Sequence, residues 1–179
     1  FNPAKAWESI SSENRPLKDT RNSFLLPLAA LVAVSAMAGS FLLANKQFSI
    51  IYSLLEGLKY FILLVAMAYS SAVILKQMTY ALDLGRDFSV AFKLIAYSLT
   101  PLYVCLVVSN LFESMVFIDI LALYGLFIFW EGVIKMINPP EHKKMPLLIA
   151  TAITIIGLYV VFSIVLNQVF DHVYNAFFA

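Results

Sequence analysis

Apolar residues arrive in five long blocks, at about 24–44, 50–76, 88–109, 114–137 and 147–170, and polar residues gather between them. A helix needs roughly 18–25 apolar residues to cross about 30 Å of hydrocarbon. No water reaches that layer, so each segment must satisfy its own backbone, and a helix does so. The pattern predicts an all-α integral membrane protein, a bundle of five transmembrane helices over residues 24–170. Residues 1–23 form an N-terminal cytoplasmic or interfacial segment, and 171–179 a short outer tail. The first block is too long and too far along the chain to read as a cleaved leader.

Finer patterning places breaks and faces within these blocks. Asn2-Pro3 reads as an N-cap followed by proline at the first helical position. A short helix over Pro3–Ile10 puts Trp7 and Ile10 on one side and Lys5 and Glu8 on the other, suiting an interfacial helix on the inner membrane surface. The first span is expected to start near Phe24, with Pro27 in its first turn. Its Ser35-x-x-x-Gly39 spacing permits close helix approach, either within the chain or between two copies. The second span, about 39 Å long from Ile50 to Leu75, carries Ser53, Glu56, Tyr60, Met67 and Ser71 as a stripe expected to face the bundle. Gly85 marks a turn, with Asp87 or Ser89 as the next N-cap. Pro101 lies in mid-membrane and predicts a kink, with Ser98 and Thr100 available to the freed backbone groups. Asn138-Pro139-Pro140 is a strong turn, and Pro146 is expected to open the last span.

Composition fits a lipid-embedded chain: 61% of residues are hydrophobic and 13% charged, with a mean hydropathy of +0.86. The formal net charge is only +1 and the basic residues are dispersed, so nucleic acid is not an expected partner. Their sidedness is informative. With five spans, Lys5, Arg15, Lys18, Arg21, Lys76, Arg86, Lys93, Lys135, Lys143 and Lys144 share one face, and Lys46 and Lys59 the other. The lysine-rich side is the cytoplasmic one. The N-terminus is therefore expected inside and the C-terminus outside.

Ionisable groups within spans cost several kcal/mol and are candidate functional positions. Here they are Glu56, Lys59, Lys93, Asp119 and Glu131. Glu56, Lys59 and Asp119 are expected to meet in the outer half of the bundle, or else Glu56 and Lys59 protrude into water. Lys93 either snorkels to the headgroups or pairs with Glu131, which also stands four residues before Lys135 in the favourable order for a helical ion pair. Lys143 and Lys144 are candidates for anionic lipid headgroups. Cys105, the single cysteine, reads as a small apolar-site residue. His142 and His172 fall on opposite faces. No metal or cofactor is expected, and no catalytic motif is visible.

The chain resembles the Yip family, membrane proteins named for interaction with Ypt/Rab GTPases, and its bacterial branch in particular. The resemblance rests on Asn2-Pro3 through Trp7 and Ile10, on Phe92-Lys93 through Tyr97 to Pro101, on Leu123-Tyr124-Gly125, on Trp130-Glu131-Gly132, and on the lysine-rich loop before the last span. It implies a non-enzymatic multi-pass protein of the inner membrane, acting through helix packing and binding of lipid or membrane partners. A homodimer, or a complex with other membrane proteins, is compatible with it. The chain lacks the long N-terminal region and the Asp-Leu-Tyr-Gly-Pro motif of eukaryotic members, so small-GTPase binding is not carried over. A solute or ion transporter or channel using the intramembrane polar residues is the alternative.

Overall fold

The computed structural model describes residues 3–13, 15–43, 50–112, 118 and 120–177. Every extended element among them is helical. The order is α1 (Pro3–Ser12), α2 (Leu17–Thr20), a π-helical turn (Arg21–Leu25), α3 (Leu26–Leu43), α4 (Ile50–Ala81), α5 (Phe88–Ser98), α6 (Thr100–Leu111), α7 (Tyr124–Met136) and α8 (Glu141–Phe177). Four stretches are long and apolar enough to cross a membrane: Leu17–Leu42, Ile50–Ala81, Phe88–Leu111 and Glu141–Ala176. Large apolar side chains such as Ile149, Ile153, Ile156 and Val160 stand on the outside of α8, a face suited to acyl chains rather than water.

The helix boundaries follow local chemistry. Asp87 caps α5, its carboxylate accepting the Ser89 backbone N–H at 2.7 Å. Gly85 turns the chain at φ +104°, a conformation glycine adopts without a Cβ clash. Asn138 ends α7 in the left-handed region at φ 46°, its N–H donating to the Val133 carbonyl. Two expected starts move upstream. The first span begins at Leu17, so Pro27 sits well inside it rather than in its first turn. The π-helical turn precedes that proline, which donates no N–H and loosens the ladder around it. The last helix begins at Glu141, with Pro146 inside it. Glu141 sits in the first turn, where a carboxylate favours the helix dipole.

The block at 114–137 appears as α7, 13 residues long, preceded by a 3-10 turn at 120–123. Residues 113–117 and Asp119 lie outside the described residues.

α5 is the centre of the bundle. Its residues Ala91 to Ala96 are buried in an unbroken run, the signature of a helix covered on all sides. It packs against α4 and α7, while α3 packs on α4 and α6, and α8 lies along α4. The core is filled by Leu64, Met67, Phe92, Leu94, Ile95, Tyr103 and Phe129, each 1% exposed or less.

Candidate functional site

The polar and close-packing positions fall into four regions. The first is the N-terminal helix. α1 forms where expected, and its Trp7 goes into the protein: the side chain is 1% exposed. Its indole Nε1 donates to the Ile128 carbonyl at 2.9 Å. The ring meets Tyr97 edge-on, with centroids 5.8 Å apart. Gly132 makes room for it, because a Cβ there would stand 2.6 Å from the indole and from Leu94 Cδ2. The same docking redirects an expected ion pair. Lys135 reaches Glu8 of α1 at 2.6 Å rather than Glu131, since α1 lies along α7 and brings a carboxylate to it. Among the described residues Glu131 makes no ion pair, and Lys93, 8% exposed, does not pair with it.

The second region is the α3 seam. Ser35 is buried, donates to the Val32 carbonyl at 2.7 Å and receives Asn110 Nδ2 at 3.4 Å. A Cβ on Gly39 would overlap the Asn110 carbonyl. The small-residue face is thus occupied within the chain, by α6. One turn further, Ser40 and Ser53 hydroxyls meet at 3.3 Å across α3 and α4.

The third region is the α5–α6 break. The helix is interrupted at Leu99, and Pro101 is the second residue of α6. Proline has no N–H for the Tyr97 carbonyl four residues back. Thr100 Oγ1 supplies the donor instead, at 2.7 Å. Ser98 makes no such bond: its hydroxyl is buried without a hydrogen-bond partner among the described residues. Beside it an apolar cavity of about 160 Å³ opens between the break, α7 and α8, lined by Leu99, Leu102, Phe129 and Ile155. Residue spacing indicated Pro101 and Thr100. It could not indicate this cavity, which three separate segments create.

The fourth region is at the far end of α4. Lys59 Nζ sits 2.6 Å from one Glu56 oxygen and 2.7 Å from the other. The Lys59 and Glu56 side chains are 15% and 20% exposed, so the pair is neither free in water nor deeply buried. The Lys59 ammonium also stands 5.7 Å from the Tyr60 ring centre, within cation–π range. Asp119, the third expected member, is outside the described residues. A cavity of about 250 Å³ adjoins Lys59 between α4 and α8.

At the opposite end, Lys143 and Lys144 have internal partners. Lys143 Nζ donates to the Leu82 carbonyl at 2.6 Å, tying α8 to the turn after α4. Lys144 pairs with Glu141 at 2.5 Å. Among the described residues no group of three or more histidine, cysteine, aspartate or glutamate side chains could hold a metal ion.

A sequence model of a known family, described as the Yip1 domain, matches residues 1–164. No curated protein and no solved structure matches the chain. The match runs from α1 well into α8 and takes in Trp7, the α5–α6 break and Gly132, and the chain belongs to the Yip1 family.

Proposed function

We propose that this protein is a non-enzymatic, five-span membrane protein of the bacterial inner membrane that organises its surroundings by binding lipids and membrane partners. The apolar block at 114–137, which holds α7, is the fourth span in chain order, and α8 is the fifth. The N-terminus is cytoplasmic and the C-terminus outside, as the distribution of lysine and arginine favours. The partners are lipids, a second copy or other membrane proteins, and not nucleic acid; nothing in the chain supports small-GTPase binding.

One observation carries this reading. The bundle centre is packed with Leu64, Met67, Leu94, Ile95, Tyr103 and Phe129, and interiors packed in this way leave no room for a hydrated path. Most ionisable groups sit toward the two ends instead, with Glu56 and Lys59 at one and Lys135, Lys143 and Lys144 at the other, while Lys93 is buried midway along α5. Reconstitution in liposomes tests it. The protein should pass neither protons nor small ions, and Glu56→Gln should leave that baseline unchanged. Flux that depends on Glu56 or Asp119 would establish a transporter. Tags at the two ends should be reachable from opposite compartments, and tags reachable from one side only would overturn the five-span arrangement.

A further inference from the structure

The cleft between α4 and α8 holds an unusual set of polar groups. Its wall on α4 is Lys59, Tyr60 and Leu63, and its wall on α8 includes Tyr159, Ser163 and Asn167. The three α8 residues are spaced four apart, so they form one line along the helix. Neither Ser163 nor Asn167 makes a side-chain hydrogen bond among the described residues. Their amide and hydroxyl are left with donors to offer, and they border a cavity of about 250 Å³.

Depth identifies what surrounds this cleft. Asn167 lies 21 residues beyond Pro146 on α8, about 32 Å along the axis. Lys59 lies 17 residues before Lys76 on α4, about 26 Å. With Pro146 and Lys76 at one boundary, a hydrocarbon layer of about 30 Å places Lys59 and Asn167 at the other, where headgroups begin. Charge then narrows the occupant. The Glu56 carboxylate grips the Lys59 ammonium with both oxygens, so the site presents a dipole and not a net positive charge. A bare anion gains little there, whereas a headgroup carrying both charges finds a partner for each.

We propose that this cleft binds the zwitterionic headgroup of a phospholipid. The phosphodiester accepts from Lys59 Nζ, Ser163 Oγ and the Asn167 amide, and the lipid's ammonium turns to the Glu56 carboxylate. The acyl chains continue along Leu63 and the apolar side of α8. This assignment rests on the lipid-binding reading above and specifies its site and headgroup class.

The test is native mass spectrometry of the full chain in detergent, titrated with phosphatidylethanolamine and, separately, phosphatidylglycerol. The wild type should retain the ethanolamine lipid about tenfold more strongly, the scale of one charge-assisted hydrogen bond. Asn167→Leu should weaken retention of both lipids, and Ser163→Ala should do so to a smaller extent, because both residues donate to the phosphodiester the two lipids share. Both positions lie on the outer helix, and thermal unfolding should show both variants folded. Glu56→Gln leaves Lys59 without its counter-charge and should turn the preference toward phosphatidylglycerol. If that variant does not fold, the two α8 variants decide. Equal retention of both lipids by the wild type, or undiminished retention in Asn167→Leu, overturns the site. Such a result leaves the membrane-organising role standing if lipid is still held elsewhere, whereas ion flux in liposomes would overturn that role and not the site.

Discussion

The indole of Trp7 donates its N–H to the carbonyl of Ile128 at 2.9 Å, joining positions 121 residues apart. With the ring enclosed by Gly132, Leu94 and Tyr97, this contact fastens the N-terminal helix to α7. Trp7→Ala should therefore lower stability by about 3–5 kcal/mol, the usual loss for a buried tryptophan. Trp7→Phe keeps most of the buried area but drops the donor, and should cost about 1 kcal/mol or somewhat more. Thermal unfolding in detergent separates the two. Protease cleavage before α2 should become fast in Trp7→Ala.

Glycines in this bundle divide by what faces them. Gly132→Val should destabilise by about 1–3 kcal/mol through overpacking on the indole, and the Trp7→Ala background should remove most of that penalty. This is a coupling that a double-mutant cycle measures directly. Gly39→Val faces backbone at Asn110, which cannot move aside as a side chain can, and should be worse. Gly157→Ala meets nothing within 4 Å. It should be neutral or stabilising by up to about 1 kcal/mol, through helix propensity.

Thr100 and Pro101 should be coupled. Thr100→Val removes the side-chain donor to the Tyr97 carbonyl, Thr100 Oγ1 at 2.7 Å, and should cost about 1–3 kcal/mol. In a Pro101→Ala background the restored N–H takes that carbonyl, and the same substitution should cost little. Equal losses in both backgrounds would show that the threonine acts in some other way.

The Glu8–Lys135 pair is largely open to solvent, with side chains 60% and 36% exposed. Lys135→Ala should shift stability by less than about 1 kcal/mol, and added salt should shrink the difference further. Glu131→Gln should not reproduce it, because Glu131 does not hold Lys135.

Much of this architecture can be read from residue order alone. The blocks of apolar residues located the long helices, because hydrocarbon thickness sets their length directly. Asp87 and Gly85 were legible as cap and turn for equally local reasons, and Thr100 stood beside the proline it serves. What escaped is long-range. A helix with Trp7 and Ile10 on one side looks the same whether that side faces headgroups or protein. Only the space left by Gly132, more than a hundred positions later, decides between them, and Trp130-Glu131-Gly132 is one of the segments that carry the family resemblance. Lys135 chose between two carboxylates, and the nearer one in sequence lost because α1 brings the other across. Helix starts are harder to read at Pro27 and Pro146, because proline favours a helix's first turn and both helices tolerate it further in.

The slot for Trp7 has a consequence for biogenesis. α1 leaves the ribosome long before Ile128 and Gly132 exist, so it must wait, undocked, while α2 to α6 are inserted. Its arrival closes the chain on itself and comes late in assembly. A nascent protein halted before α7 would show an unprotected tryptophan to any quality-control factor that samples unfinished membrane proteins.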